Sequence, residues 1–463
     1  MFIRLLGLDM SSTTTFKFGV EGLDEYYPGV LIPGTLLVIA GHPGSGKTSM
    51  AAQLCHANAL NGRRCLYVST QETEEKFLKF MARFGFNFEL LTASGYFRFL
   101  RLPLISSEDA LDGVLESITS AILEFNPSIV VVDSINPMTK VIVSDARRRA
   151  LLQNYFYNIA FDIKGLVVLI AEVPLGRTTI EESGDVEFVA DGIIILRHEL
   201  RNGLIARRME IRKLRGAPLE LSELPFTITA YNGIVALVPP RTKSSRRGEE
   251  LRRYRVECKP LEEALGGFIG GDVILIAGAP HELTWGSVLK WISRIAFESK
   301  TNMTIVSYRG SEEDVRRVLK EIKLGEPTLG DVLEKTSVTT LNPTLLSPEA
   351  LFSLELEHLN KVKPGVAVVL GVDTLKHLYK LNPLLVERHL DIERGAAKDL
   401  GILLFKVAHI TSIEDINWEL PRSDVVIIVG DTVTGIAGGR VVAYRMSGSG
   451  KLVTSRDQLK ECF

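Results

Sequence analysis

Residues 41–48 read GHPGSGKT, which sets a lysine and a hydroxyl directly behind three glycines. The octapeptide matches the phosphate-loop pattern GxxxxGK[ST]; a strand-like apolar run, Leu36–Ala40, precedes it and a helix-like stretch, 47–60, follows it. Gly41, Gly44 and Gly46 allow the backbone to curl until its N–H groups surround a phosphate at a helix N-terminus. Lys47 then supplies a point charge to the β- and γ-phosphates, and the Thr48 hydroxyl ligates Mg2+. The expected ATP cradle is Gly41, Pro43, Gly44, Ser45, Gly46, Lys47, Thr48 and Ser49. Further along, IVVVDS (129–134) is an apolar strand ending in Asp133, the acid that holds Mg2+ together with Thr48 in phosphate-loop sites. Ser134 stands beside it as a polar partner for water.

Such residues need a sheet to hold them. The chain alternates apolar runs of four to seven residues with longer helix-like stretches. Runs apolar at every position suit strands buried on both faces of a parallel sheet, so the pattern predicts an α/β fold, the phosphate-loop NTPase type, with helices flanking mainly parallel sheets. The pattern also repeats. GTLLVIAGHP (34–43) is echoed by GDVILIAGAP (271–280), IVVVDSI (129–135) by AVVLGVDTL (367–375), LVVLIAEV (166–173) by ILLFKVAHI (402–410), and ADGIIIL (190–196) by SDVVIIV (423–429). A constant offset of about 230 to 240 residues predicts two tandem copies of one domain, 1–239 and 256–463. Between them 240–255, rich in Ser and charge, reads as a linker.

Composition narrows the function. At roughly 100–200 residues per domain, 463 residues accommodate two or three domains, each with its own core. Lys and Arg total 54 against 56 Asp and Glu, which excludes a generally polycationic nucleic-acid binder. The basic linker residues (Arg241 to Arg255) and Arg147–Arg149 read as solvated or subunit-contact features, so nucleic acid is not the favoured partner. Cys55, Cys65, Cys258 and Cys462 show no CxxC spacing, which argues against a zinc cluster or disulfide framework and fits a reducing cytoplasm. The histidines form no HxH or HxxxH pair, so a histidine-based metal site is not expected. No apolar run reaches the ~18 residues that cross a bilayer, and the N-terminal stretch does not read as a signal peptide. Only four glutamines occur, a hint of heat adaptation.

Several segments together resemble the KaiC-like branch of the RecA superfamily of ATPases: GLDEYYPG (22–29), the phosphate loop, LYVSTQET (66–73), MARFGFNF (81–88), the Asp133 strand, EFVADGIIILR (187–197), and above all KLRG (213–216) followed by LPFTIT (224–229). The second half resembles the same domain type from RVECKPLEEALGG (255–267) onward. The resemblance implies homo-oligomeric rings, usually hexameric, with Mg-ATP held between neighbouring subunits. It implies a Glu-Glu pair that activates the attacking water; here that pair is Gln71-Glu72, and an amide positions water without accepting its proton. Glu172 matches a position sensing the γ-phosphate region, and Lys213 and Arg215 match positions reaching the neighbour's γ-phosphate. Catalytic roles are therefore expected at Gln71, Glu72, Glu172, Lys213 and Arg215.

The second copy keeps the scaffold without the chemistry. Thr284 and Trp285 stand where Lys47 and Thr48 do, His281 and Leu283 replace Gly44 and Gly46, and Arg309-Gly310 replaces Gln71-Glu72. Asp373 is read as the surviving counterpart of Asp133. The adjacent Ser and Thr that KaiC phosphorylates correspond to Leu420-Pro421-Arg422, which offers no hydroxyl. The main expectation is an ATPase with one active domain and one degenerate domain for assembly or regulation, its protein partner unnamed by the sequence. Two alternatives stay open: a RadA-like DNA-binding motor, and a non-hydrolytic ATP sensor, which Gln71 favours.

Overall fold

The computed structural model describes residues 15–173, 189–201, 204–219, 222–237, 252–430, 440–446 and 451–455. Two compact units divide the chain at Val238/Pro239. Most of the segment read as a linker lies outside the described residues, but its end does not: Arg253–Tyr254 is a short strand of the second unit.

The first unit contains β1 (Thr35–Gly41), β2 (Cys65–Ser69), β3 (Phe97–Arg101), β4 (Ile129–Asp133), β5 (Leu166–Glu172), β6 (Gly192–Arg201), β7 (Leu204–Leu214), β8 (Glu223–Thr229) and β9 (Gly233–Ala236). They form one sheet in the order β3-β2-β4-β5-β1-β6-β7-β8-β9. The pairs from β3 through β6 are parallel, and the remainder are antiparallel. Every residue of β1 and β2 is buried. Alternation then separates the two faces: Leu37 and Ile39 belong to one core with the helix Lys47–Ala59, and Leu36, Val38 and Ala40 to another under the helix Glu108–Phe125. That is why these runs carry no polar alternation.

The second unit contains β10 (Arg253–Tyr254), β11 (Phe268–Ile269), β12 (Val273–Gly278), β13 (Met303–Ser307), β14 (Ser337–Thr340), β15 (Val366–Leu370), β16 (Leu403–His409), β17 (Val425–Val429), β18 (Arg440–Arg445) and β19 (Lys451–Ser455). β10 and β11 pair with each other, and the main sheet runs β14-β13-β15-β16-β12-β17-β18-β19. This order repeats that of the first sheet strand for strand from β3 to β8. The chain is a tandem of RecA-like α/β domains, as the sequence repeat predicts.

The cysteines depart from expectation. Cys55, on the helix Lys47–Ala59, and Cys65, opening β2, are joined in a disulfide with their Cα atoms 5.8 Å apart. Cys258 is also disulfide-bonded, its partner lying outside the described residues. Sequence spacing concealed the first pairing because the helix turns back onto the sheet over only ten residues and brings the two Cα atoms within bridging range.

Candidate functional site

Four neighbouring parallel strands end together at one edge of the first sheet, and their last residues carry the chemistry. Gly41 is opposite Glu172, and Ser69 is opposite Asp133. Backbone freedom is needed at Gly41, where a Cβ would lie 2.3 Å from the Leu196 carbonyl oxygen and 2.6 Å from Ser45 Oγ. Gly46, the residue before the helix Lys47–Ala59, has φ of 101°, in the region that favours glycine. The loop then delivers Lys47 inward: it is buried, and Nζ donates to the carbonyls of Gly41 at 2.9 Å and His42 at 3.0 Å. Burial lowers the lysine pKa, opposed by the nearby carboxylates of Glu172 and Asp133. The ammonium is thus folded back on its own loop, with carbonyls standing in for phosphate oxygens.

Thr48 and Asp133 meet, as the magnesium reading expects. The Thr48 hydroxyl donates to Asp133 Oδ2 at 2.8 Å, and the Tyr67 hydroxyl donates to the same oxygen at 2.8 Å. Burial raises the Asp133 pKa, and these two hydrogen bonds oppose it. A hydroxyl and a carboxylate at 2.8 Å form the hard oxygen donor set that suits Mg2+ with phosphate oxygens. Ser134 is buried with no partner for its Oγ, and its N–H donates to Thr70 Oγ1 at 3.1 Å.

Gln71, Glu72 and Glu172 divide into a pair and a neighbour. Gln71 Nε2 donates to Glu172 Oε1 at 3.3 Å, whereas Glu72 lies 3.5 Å from Lys76 on the following helix. The N–H groups of Gln71 and Glu72 both donate to Ser69 Oγ, which fixes the turn after β2. Glu172 is clamped by Asn136: its N–H donates to Asn136 Oδ1 at 2.7 Å, and Asn136 Nδ2 donates to its carbonyl at 3.1 Å. Tyr67 and Asn136 escaped the sequence reading. Tyr67 sits two residues before Ser69 on a strand buried throughout and passes there for a core aromatic; only pairing with β4 reveals its reach to Asp133.

Lys213 and Arg215 are elsewhere. β7 pairs Lys213 with Ile193 and Leu214 with Gly192, and Gly192 is opposite Leu37. At ~3.3 Å per residue this end of the sheet is roughly 13 Å from Gly41 along the strand. Arg215 is held there by its own chain, with a guanidinium nitrogen 2.7 Å from Asp191 Oδ1. Asp191 also accepts from the Leu36 N–H. Neither cation meets the phosphate loop of its own chain.

The second sheet corrects one expectation. By strand register Asp133 corresponds to Leu370, the last residue of β15, while Asp373 corresponds to Asn136. Function agrees with register: Asp373 Oδ1 accepts from the His409 N–H at 2.9 Å, as Asn136 accepts from Glu172. The strand-end acid is therefore lost in this copy, and a shared Asp letter misled the sequence reading by three residues. Arg309 bonds Asp373, and Trp285, at the Thr48 position, stacks on His409 with ring centroids 6.1 Å apart. Thr284 caps the helix Trp285–Glu298 where Lys47 would stand. An indole thus stands at the position of the Thr48 hydroxyl and an aliphatic side chain, Leu370, at that of the Asp133 carboxylate.

A glycine-cradled lysine at a helix start, with a threonine and a strand-end aspartate beside it, on this strand order, defines a RecA-type phosphate-loop NTPase domain. Residues 16–241 match the KaiC ATPase family model. The chain is 27% identical over 272 residues to the circadian clock protein KaiC3 of Synechocystis sp., covering 56% of this chain and 53% of the relative. It is 27% identical over 274 residues to the circadian clock oscillator protein KaiC of Thermostichus vulcanus, covering 56% and 51%. For the circadian clock oscillator protein KaiC of Prochlorococcus marinus strain MIT 9313, the values are 27% over 312 residues, 65% and 61%. The chain therefore spans about half to three fifths of the length of these curated relatives. Its first unit belongs to the KaiC-like ATPases of the RecA superfamily. Among the described residues, no helix is long and apolar enough to cross a membrane.

Proposed function

We propose that the first unit binds Mg-ATP and hydrolyses it slowly at the interfaces of a homo-oligomeric ring, of hexameric type. The second unit, in this reading, binds no nucleotide and serves assembly or regulation. The observation that carries it is the contrast between equivalent positions. Lys47, Thr48 and Asp133 converge in the first unit, where the second has Thr284, Trp285 and Leu370.

The roles follow from placement. The loop residues Gly41, Pro43, Gly44, Ser45, Gly46 and Ser49 cradle the phosphates, Lys47 trades its two carbonyl partners for phosphate oxygens, and Thr48 with Asp133 holds Mg2+. ATP-bound Mg2+ neutralises charge on the phosphates. Gln71 and Glu172 orient the attacking water, and Glu72 is the remaining carboxylate able to take its proton. Lys213 and Arg215, remote from their own loop, act on a neighbouring subunit's γ-phosphate. Titration of the intact chain with ATP in the presence of Mg2+ tests the reading: one equivalent is expected, and binding without Mg2+-dependent turnover would favour the sensor instead. That second reading rests on Gln71, whose amide is spent on Glu172.

A further inference from the structure

A polar cluster lies in the core of the second unit, and nucleotide chemistry gives it no role. His389 and Glu393 are one turn apart on the helix Pro383–Leu400 and share a face. That face turns inward with Leu385, Val386 and Leu390. Glu355 projects from the helix Pro348–Val362. Lys406 occupies the middle of β16, a strand otherwise apolar through Leu403–Ala408. Glu419 and Tyr308 complete the group, and all six residues are at most 4% exposed.

The contacts are incomplete in an informative way. Lys406 bonds Glu393 Oε2 and Glu419, and the Tyr308 hydroxyl donates to Glu355 Oε2. His389 Nε2 lies 2.9 Å from Glu355 Oε2, yet the geometry makes no hydrogen bond. Both imidazole nitrogens are buried without a hydrogen-bond partner, and the carboxyl groups of Glu355 and Glu393 lie within hydrogen-bond reach of each other. Phe352 stacks on the imidazole at 3.7 Å between centroids and fixes its plane. One donor atom from each of Glu355, His389 and Glu393 falls within 4.8 Å of the others. Around a tetrahedral zinc at ~2.0–2.1 Å, ligand atoms stand about 3.3 Å apart, so small side-chain movements bring these three donors onto one ion.

Charge points the same way. Three carboxyl groups face one ammonium in a sealed core, a formal excess of two negative charges when all are ionised. Isolated buried charge costs several kcal/mol per ion, so either protons or a cation must balance it.

We propose that Glu355, His389 and Glu393 bind a single divalent transition-metal cation that braces the second unit. Glu355 and Glu393 supply carboxylate oxygens, His389 supplies a ring nitrogen, and one divalent ion cancels the excess charge. Lys406 and Tyr308 are positioning residues, each holding a ligand carboxylate by its other contact. The three ligands are buried in the core, and the mixed imidazole and carboxylate donors suit zinc, manganese or iron(II). A single histidine from one helix and a glutamate from another leave no HxH spacing, which is why the sequence did not disclose it.

The test uses the full chain, tag-free and nucleotide-free, produced in zinc-supplemented medium and passed through chelator. Elemental analysis is expected to find about one zinc per chain, retained in Lys47→Ala and lost in His389→Ala and in Glu393→Gln. Production with cobalt in place of zinc should yield the ligand-field absorption of a low-symmetry site, absent from His389→Ala. If the unaltered chain is folded, carries no zinc or cobalt, and melts at the same temperature with and without supplied metal, the proposal is overturned and protons balance the cluster. That outcome needs no variant, so a misfolded substitution cannot hide it.

Discussion

Replacing Gln71 by glutamate restores the carboxylate that KaiC-like strands carry, but Glu172 sets the terms. Gln71 Nε2 donates to Glu172 Oε1 at 3.3 Å. Two carboxylates at that separation repel by about 1.3 kcal/mol in bulk water and about 5 kcal/mol at an effective dielectric of 20. At 1.36 kcal/mol per pH unit, the introduced carboxyl loses its proton between about pH 5 and pH 8 instead of about 4.3. Gln71 is exposed, so solvent screening draws the value toward the lower end. While protonated, that carboxyl cannot accept a proton from the attacking water. The expected result for Gln71→Glu is a turnover that climbs with pH through this interval and then exceeds the unaltered protein, within the ~10²–10⁴-fold reach of general-base catalysis. Adding Glu172→Gln removes the repulsion and offers an amide donor, so the acid limb moves to lower pH whatever happens to its height. Steady-state ATP turnover measured from pH 5 to pH 9 separates position from height. Superimposable acid limbs for Gln71→Glu with and without Glu172→Gln would refute the reasoning. A flat Gln71→Glu profile with collapse in Glu72→Gln would assign water activation to Glu72.

Lys47→Ala removes a charged partner worth about 1.5–3 kcal/mol, so ATP affinity should fall roughly 10- to 150-fold by calorimetry; two equivalents per unaltered chain would contradict nucleotide binding by the first unit alone. Lys47→Ala and Arg215→Ala subunits should each be inactive and regain turnover when mixed, because some interfaces then join an intact loop to an intact arginine, for which fingers supply ~10³–10⁵ in rate; co-assembled but dead mixtures exclude action across subunits. In the second unit, the bonds from Arg294 and Lys290 hold Glu326 down to about 2. A depressed folded-state value means the stabilisation is complete above the unfolded value of about 4.3 and is lost as pH falls toward 2. Glu326→Gln should therefore flatten the melting temperature's decline in that window, and an unchanged slope would count against the assignment.

The phosphate loop, the meeting of Thr48 with Asp133 and the tandem α/β architecture were legible in the sequence because each is local or periodic. GHPGSGKT is one contiguous turn, IVVVDS is one strand and its end, and strands buried on both faces need no polar alternation. The repeat was visible because both copies bury the same strands. Everything that depends on which strand lies beside which was decided by the tertiary structure. Asp373 shares its letter with Asp133, but the pairing of β15 places Leu370 at the strand end and gives Asp373 the clamp of Asn136. Cys55 and Cys65 became partners when a helix folded back onto β2. Arg215 met Asp191, and Gln71 met Glu172, across 24 and 101 residues of chain. The cluster around His389 draws on two helices and a strand that no sequence period links. Burial, which turns such a group from solvated charges into a cation site, exists only once those elements pack.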